Sequence, residues 1–298
     1  METNTAPGAQ KSVAVRAAPA VFVLLWSTGF VAARYATEDN GAMAFLTTRM
    51  VVAGGLLFIT ARLLGAPRLT RTQLMSSVIA GVGINALYLG GVFVAIAAGM
   101  SSSLSSLIAG LHPVATAILA FLLFSERLRS RQWIGVGLGL AGVAWFTIDS
   151  AQGASLPVIS LVAMAVSLAG MVSGTLVQRR WNAQVPLLGG TAAQYGASAI
   201  LLGLAAIFVE RRAVVVTPTF VFALIYAVVV LSVGAVLIML WLLRNGGAAQ
   251  VSSLFFLTPT FSALEAAVLF GEPLTLVVVL SLALSAVGVV LVMRTPNN

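Results

Sequence analysis

The chain has 298 residues, of which 60% are hydrophobic and only 8% are charged, and its formal net charge is +8. Because a soluble domain carries about 25% charged residues, this composition excludes an ordinary soluble fold and predicts that lipid is the solvent. The chain has no cysteine, which excludes disulfides, thiolate nucleophiles and cysteine-bound metals. The positive charge is spread over short loops, which indicates membrane topology rather than binding to nucleic acid.

A polar segment over residues 1–16 is followed by ten apolar runs of about 20 residues, the length of a membrane-spanning helix. We interpret residues 1–16 as a tail rather than a cleavable signal peptide, since the first run has a counterpart later in the chain. Runs this long and apolar predict helices, because lipid forces the backbone to hydrogen-bond within each segment. The predicted fold class is therefore an all-α integral membrane protein. The predicted spans are 18–36, 43–63, 73–95, 101–124, 132–149, 155–178, 187–209, 218–243, 248–271 and 275–293.

The sequence repeats itself with a constant spacing. The stretch Leu111–Gly142 recurs as Leu257–Gly288, with Leu-Phe-x-Glu-x-Leu around a glutamate in each copy. A repeat with a constant spacing of about half the chain length predicts two copies of one five-helix unit, which we place at 17–149 and 155–294. The pairs with this spacing of 146 residues (259 − 113) are Pro113 with Pro259, Glu126 with Glu272, and Gly142 with Gly288.

The earlier spans repeat more weakly. Ser-Thr-Gly at 27–29 matches Val-Ser-Gly at 172–174, an offset of 145 residues (172 − 27). The residues related by the same offset are Arg34 with Arg179 and Arg49 with Gln194. The exchange of an arginine for a glutamine predicts that the two copies do not play identical roles.

Arginine and lysine are concentrated in the loops on one side of the membrane. With the N-terminus inside, the inner segments hold 12 of the 16 basic residues, and the outer segments hold Arg34, Arg211 and Arg212. The remaining one, Arg49, lies within a span. This bias predicts that both termini are cytoplasmic. Five spans is an odd number, so the second copy is expected to enter from the opposite side, as in transporters whose cavity faces each side in turn.

Several motifs resemble those of one transporter family. The first span reads Trp26-Ser-Thr-Gly-Phe-Val and ends at Arg34, the second carries Arg49, and the fourth and ninth each carry a proline before Phe-x-Glu-x-Leu. These residues resemble the drug/metabolite transporter superfamily, specifically the two-repeat EamA-type exporters, and among them the YddG-type exporters of aromatic and other amino acids. The resemblance implies a ten-helix basket in the bacterial inner membrane, with a central cavity lined by spans 1, 3, 4, 6, 8 and 9.

Three ionisable residues fall well inside predicted spans: Arg49, His112 and Glu265. A charge at bilayer depth costs roughly 3 kcal/mol or more, so each is expected to face protein or a wet cavity. Arg49 is expected to pair with helix-end carbonyls or a carboxylate. His112 is expected either to complete an interhelical hydrogen bond or to accept protons and gate the cavity. Glu265 is expected to meet a substrate ammonium, to carry a coupling proton or to pair with Arg49.

Polar residues recur at helical spacing and predict either cavity walls or interhelical hydrogen bonds. The stripes are Ser101, Ser105 and His112; Thr258, Ser262 and Glu265; and Gly81, Asn85 and Tyr88. The tryptophans Trp26 and Trp241 lie in spans that the family uses for the cavity, although an interfacial belt would also explain them. The predicted substrate-binding residues are therefore Trp26, Asn85, Tyr88, His112, Trp241, Thr258 and Glu265.

A second set of residues is expected to be structural or to gate the cavity: Arg49, Pro113, Pro259, Glu126 and Glu272. Each proline lacks a backbone N–H and is expected to break its helix near the membrane centre. Each glutamate is expected to accept hydrogen bonds from the N-terminus of the span that follows it.

These features together predict a secondary exporter of small amphipathic metabolites, in particular aromatic and other neutral amino acids, acting as a monomer without cofactor or metal. One histidine and no cysteine exclude histidine-cluster metal sites, and the sequence has no phosphate-binding loop for ATP.

A drug-cation or nucleotide-sugar carrier is the alternative within the superfamily, but nucleotide sugars call for several basic groups in the cavity. An intramembrane enzyme is the alternative from another class. It would need a reactive constellation that the sequence does not offer, so we expect that the protein is not an enzyme.

Overall fold

The computed structural model describes residues 13–37, 41–124, 129–153, 156–182, 184–211, 214–236, 238–239, 241–242, 254–255 and 257–293. Glu126, predicted to cap a helix, lies outside these residues. Every regular element among the described residues is a helix. The helices are α1 Val13–Ala36, α2 Ala42–Leu63, α3 Arg71–Ala97, α4 Ser102–Ala109, α5 His112–Phe124, α6 Ser130–Gly153, α7 Val158–Trp181, α8 Leu187–Glu210, α9 Pro218–Ala235, α10 Thr258–Phe270 and α11 Leu276–Met293.

Seven helices of the described chain are long and apolar enough to cross a membrane: α1, α2, α3, α6, α7, α8 and α9. Of the remaining four, α4, α5 and α10 are shorter, and α11 contributes the shorter apolar stretch Leu276–Val292. The predicted span 101–124 is divided into α4 and α5 by a turn at Gly110 and Leu111, and α10 covers the second half of the predicted span 248–271. The chain is therefore a multi-pass α-helical membrane protein.

Unlike a soluble protein, this protein exposes large aliphatic side chains and buries small polar ones. Large aliphatic side chains such as Leu63 and Val268 are 81% and 83% exposed, whereas Ser77 and Ser167 are completely buried. Lipid solvates the aliphatic side chains, and the small serines allow helices to approach closely in the interior. Phe45 fills the centre of the core, where its ring stacks on Phe93 with centroids 5.8 Å apart.

Polar residues define where several helices begin. Thr70 starts α3 with a reciprocal cap, in which its hydroxyl accepts from the Gln73 N–H and the Gln73 side chain accepts from the Thr70 N–H. Ser101 accepts from the Leu104 N–H at 3.1 Å and starts α4. Thr217 does the same for α9 through the Phe220 N–H. These caps satisfy N–H groups that would otherwise lack partners at helix ends.

The third helix of each copy contains a π-helical segment. These segments are Val82–Tyr88 in α3 and Tyr226–Ala235 in α9. The offset of 145 carries residues 82–88 onto 227–233, so the segments lie at equivalent places in the two copies. A π-turn bonds residue i to i+5, which rotates the later side chains onto a different face, and such turns are frequent at functional sites.

The two copies pack against each other through equivalent helices, as α6 and α11 show. A Cβ atom on Gly135 would lie 2.6 Å from the carbonyl oxygen of Gly288, and one on Gly142 would lie 2.7 Å from that of Ser281. The repeat maps Gly135 onto Ser281 and Gly142 onto Gly288, so these are the same contact seen from each copy. As the residue number rises in α6 it falls in α11, and the two helices therefore run antiparallel.

The other helices also pack across the two copies. The helix pairs are α2 with α8, α3 with α7, α1 with α9, and α4 with α10. The α2–α8 pair is also antiparallel, since Gly54 approaches Tyr195 while Gly203 approaches Thr47. The interface between the copies is thus the main packing surface of the protein, and any cavity on it is built from both.

Candidate functional site

A pocket lies on this interface, where the two broken spans meet. Pro113 lies in the first turn of α5 and Pro259 in the first turn of α10, where a missing N–H costs least. A Cβ atom on Gly110, in the turn before α5, would lie 2.8 Å from Cγ of Pro259. Only a glycine therefore fits this approach without displacing the neighbouring ring. Two helices begin at this point, and their partially positive N-terminal ends come close together.

The pocket is formed by side chains from six regions of the chain: α1, α3, α4 with the turn after it, α5, α7 and the segment leading into α10. Its lining residues are Trp26, Phe30, Tyr88, Ser106, Ala109, Gly110, His112, Met171, Phe255 and Thr258. In this conformation it has room for about one water molecule. An organic molecule would need the copies to move apart before it could enter.

The lining residues come in pairs related by the repeat. Met171 is the counterpart of Trp26 at the offset of 145, and Thr258 is the counterpart of His112 at 146. Phe255 corresponds to Ala109 at the same offset of 146. The pocket therefore contains repeat-related positions from both copies, yet one wall is aromatic where its counterpart is small or flexible.

Aromatic rings dominate one wall of the pocket. The Trp26 and Phe255 rings meet edge to face with centroids 5.1 Å apart and an angle of 85° between their planes. His112 also contacts Phe255 edge to face, at 6.0 Å. Edge-to-face geometry is the favoured arrangement of such rings and holds the wall in a defined shape. Rings with a few polar groups suit a ligand that has both an apolar and a polar part.

Four of the predicted binding residues meet in the pocket, and three do not. The four are Trp26, Tyr88, His112 and Thr258. Asn85 is buried but does not line it, because the π-turn breaks the helical spacing that Asn85 and Tyr88 were predicted to share. Trp241 is 37% exposed and lies outside the pocket, as does Glu265.

The pocket also contains residues that the sequence analysis missed. They are Phe30, Ser106, Ala109, Gly110, Met171 and Phe255. Met171 could have been found by applying the repeat to Trp26. Phe30 lies one helical turn after Trp26, and Phe255 lies three residues before Thr258, so both share a face with a predicted residue. No signal marked Ser106, which is one of five serines between Ser101 and Ser106.

Glu265 contacts α1 rather than Arg49. Its Oε1 atom lies 2.6 Å from the hydroxyl oxygen of Ser27, which is completely buried. The Ser27 hydroxyl also donates to the Leu24 carbonyl oxygen at 3.0 Å. The other carboxyl oxygen, Oε2, is buried and has no hydrogen-bond partner among the described residues. The expected pairing of Glu265 with Arg49 is therefore not present in this conformation.

Arg49 bridges α2 to the π-segment of α9. Its Nε donates to the Ser232 hydroxyl at 3.1 Å, and the residue is 7% exposed. Its counterpart Gln194 instead donates to Gln178 at 3.0 Å, within the second copy. Equivalent positions thus join different helices, and Arg49 reaches across the interface.

Glu272 caps a helix, but not the one expected. Gly271 has a φ of +67°, which ends α10 and turns the chain back toward α4. The Glu272 carboxylate accepts from the Ser102 N–H at 3.0 Å and the Ser103 N–H at 3.3 Å, and pairs with Arg34 at 3.0 Å. The prediction that Glu272 caps the following span was wrong, because its carboxylate reaches α4 of the other copy.

A second carboxylate acts in the same way and was not predicted. Glu210, at the end of α8, accepts from the Met43 N–H at 3.1 Å and the Ala44 N–H at 3.0 Å, and so caps α2. Its carboxyl group occupies the space where a side chain at Gly41 would lie. Both carboxylates therefore join the end of a helix in one copy to the start of a helix in the other.

Proteins similar to this chain are bacterial transporters by name. The chain is 26% identical over 283 residues to the uncharacterized transporter YvbV of Bacillus subtilis, covering 92% of this chain and 89% of that protein. It is 23% identical over 269 residues to the uncharacterized inner membrane transporter YedA of Escherichia coli K12, covering 90% of this chain and 87% of that protein. It is 24% identical over 287 residues to a probable amino-acid metabolite efflux pump of the same strain, covering 91% of this chain and 89% of that protein.

A solved crystal structure has the same fold. It matches with a TM-score of 0.64 and 20% sequence identity, over 93% of this chain and 95% of the other. The family model that describes EamA-like transporters matches the chain twice, at residues 18–148 and 156–294. Two matches that together cover nearly the whole chain show that it belongs to the EamA-like transporter family.

Proposed function

We propose that this protein is a secondary exporter of small amphipathic metabolites, in particular aromatic and other neutral amino acids, that works by alternating access. The observation that carries the proposal is the pocket between the copies, lined by repeat-related residues where two helices are broken. The name of one relative, a probable amino-acid metabolite efflux pump, supports the choice of substrate class.

The chemistry of the pocket suits an amino acid. The aromatic wall of Trp26 and Phe255 would contact an apolar side chain. The N-terminal ends of α5 and α10 carry partial positive charge and would attract a carboxylate, as broken helices do in other transporters. Ser106 and Thr258 would add hydrogen bonds that orient the polar end.

The proposed topology is ten spans arranged as two inverted five-helix units, in a bacterial inner membrane, with both termini cytoplasmic. The antiparallel packing of equivalent helices such as α6 and α11 supports this arrangement, because a twofold axis in the membrane plane reverses helix direction. The protein is proposed to act as a monomer, since one chain supplies the residues that line the pocket.

Topology can be tested with single cysteines, because the chain has none of its own. Ala66 and Val214 lie in repeat-equivalent loops, after the second span of each copy. We expect Ala66→Cys to react with a membrane-impermeant maleimide only from the cytoplasmic side, and Val214→Cys only from the outside. Labelling of both from one side would contradict the inverted arrangement.

Transport can be tested with purified protein in liposomes. We expect exchange of labelled phenylalanine, tryptophan or leucine above the level of empty liposomes, with competition by unlabelled substrate. A panel in which no amino acid exchanges above empty liposomes would contradict the proposal. Asp149→Asn serves as a control variant, since Asp149 lies at the end of α6 and away from the pocket.

An organic-cation carrier is the second candidate, favoured by the same aromatic wall. A cation binds well over the face of a tryptophan. The panel should therefore include labelled tetraphenylphosphonium. Exchange of this cation without exchange of any amino acid would favour the second candidate.

A further inference from the structure

The carboxyl group of Glu265 lies in α10, within the predicted span 248–271, in surroundings that do not neutralise a negative charge. Its Oε1 atom has one neighbour, the Ser27 oxygen at 2.6 Å, and its buried Oε2 atom has no partner among the described residues. A carboxylate with a single compensating donor inside the membrane is costly, so we expect the group to bind a cation or a proton.

On the described helices that pack against α10, no basic group is free to neutralise Glu265. Its helix packs mainly against α1 and α4. From residue 17 onward, the titratable groups of α1 are Arg34, which pairs with Glu272 at 3.0 Å, and Tyr35, whose ring contacts Phe270. Helix α4 has no titratable side chain, and α10 has none besides Glu265. Arg49 is bonded to Ser232.

The contacts around Ser27 accommodate a proton on Glu265. A serine hydroxyl has one hydrogen to donate and two lone pairs that accept. The Ser27 oxygen lies 3.0 Å from the Leu24 carbonyl oxygen and 2.6 Å from Glu265 Oε1, and neither of these oxygens can donate when the glutamate is ionised. The single hydroxyl hydrogen can serve only one of these oxygens when Glu265 is ionised, whereas with a proton on Glu265 both contacts are hydrogen bonds, Ser27 donating to Leu24 and the carboxyl O–H donating to Ser27.

A proton also fits this site better than a metal cation. A sodium ion would need several oxygen ligands, whereas the one partner that the described residues give the carboxyl group is the Ser27 oxygen. A protonated carboxyl is neutral, so its unpartnered Oε2 costs far less in the interior than that of a carboxylate. The same chain of contacts, Glu265 to Ser27 to Leu24, holds the protonated group in place.

We propose that Glu265 is the site that binds the coupling proton during transport, and that Ser27 is the residue that positions it. This inference rests on the proposed function as a secondary exporter. When the copies rearrange, α1 and α10 move relative to each other and the Glu265–Ser27 contact breaks. The proton, taken up from water on the outer side, then leaves Oε1 for water on the cytoplasmic side, and the ionised carboxylate takes up the next proton when it faces the outer side again. Each cycle therefore moves one proton across the membrane and leaves Glu265 unchanged.

The decisive experiment compares exchange with gradient-driven transport in liposomes. The probe is labelled phenylalanine, or whichever amino acid the wild-type protein exchanges. Glutamine is isosteric with protonated glutamate but cannot release a proton, so Glu265→Gln should keep exchange at equal pH and lose accumulation driven by a pH gradient. Asp149→Asn should keep both. Accumulation by Glu265→Gln equal to that of the wild type would overturn the proposal, as would accumulation driven only by a sodium gradient.

A second measurement does not depend on transport. Infrared spectra of the wild-type protein should contain the carbonyl band of a protonated carboxylic acid. This band should be lost in Glu265→Gln and shifted in Ser27→Ala, which removes the acceptor of the proton. A spectrum in which Glu265→Gln retains the band would overturn the assignment even if that variant folds poorly in liposomes. A wild-type protein that exchanges no substrate would contradict the proposed function, whereas the band would still report on Glu265.

Discussion

The contact between α3 and α7 and its repeat equivalent, the contact between α1 and α9, are packed in different ways. Gly174 of α7 lies against α3, where an added Cβ would be 2.7 Å from Cγ1 of Ile84 and 3.0 Å from the Ala80 carbonyl oxygen. Gly29, its counterpart on α1, has no atom within 4 Å of the same position. Similar sequences therefore produce a closed contact in one place and an open one in the other.

This difference has a physical consequence for two inverted copies. If the copies are equivalent by sequence, a second conformation in which their packing is exchanged should be close in energy. The α1–α9 contact would then close over Gly29 while the α3–α7 contact opens. Glycine at both positions allows either closure, because helices approach most closely where no side chain intervenes. Under the proposed alternating-access function, the asymmetry seen here belongs to one of two states.

The largest expected effect concerns the two related walls of the pocket. Trp26→Ala removes an aromatic face. An aromatic contact contributes about 0.5–1.5 kcal/mol of binding free energy in addition to that of burying its surface. We expect transport of labelled phenylalanine to fall about tenfold or more, since about 1.4 kcal/mol corresponds to a factor of ten. Met171→Ala, at the equivalent position, should cost less because methionine is flexible. Equal losses in the initial rates of the two variants would show that the walls are interchangeable.

The glycine comparison can be tested directly by thermal unfolding in detergent. Gly174→Ala places a methyl group against Ile84 and should destabilise the protein by about 1–3 kcal/mol through overpacking. Gly29→Ala should be neutral or stabilising by up to about 1 kcal/mol, because alanine favours a helix and the space is open. A lower Tm for Gly29→Ala than for Gly174→Ala would contradict the assignment of closed and open contacts.

A comparable contrast exists between the two partners of the ion pair that joins α1 to the end of α10. Glu272→Ala leaves the N–H groups of Ser102 and Ser103 without their acceptor and should cost about 1–3 kcal/mol. Arg34→Ala should cost only about 0–1 kcal/mol, because its side chain is 44% exposed and water screens the pair. Chemical unfolding of both variants measures the difference. A larger cost for Arg34→Ala would mean that the ion pair, not the helix cap, is the important contact.

The smallest expected effect is at the hydroxyl contact that bridges the open pair of helices. The Thr28 and Tyr226 hydroxyl oxygens lie 2.6 Å apart, between α1 and the π-segment of α9. Tyr226→Phe should cost about 0.5–1.5 kcal/mol, the usual net value of one hydrogen bond. Tm measurements on Tyr226→Phe and on Thr28→Val, which should agree, test this value. Additive losses in the double variant would show that the two hydroxyls do not interact.

Much of the fold could be predicted because it depends on linear patterns. Apolar runs marked the spans, and the prolines at 113 and 259 marked helix starts, since these features act within one segment. The binding residues were harder. Asn85 was placed on the face of Tyr88 by α-helical spacing, and the π-turn moved it away. Met171 was missed, although the repeat relates it to Trp26, because a methionine in an apolar run carries no polar signal.

Composition and spacing are properties of the chain as written, and they were sufficient for the membrane environment, the duplication and the family. The contacts between residues across the interface could not be predicted in this way. Glu265 meets Ser27, 238 residues away, and Glu272 meets Ser102, 170 residues away. Such contacts depend on which faces of the helices pack together, and a rotation of one helix by a single residue would exchange them. The chemistry of the site was therefore set by the packing of the two copies, and no local pattern could contain it.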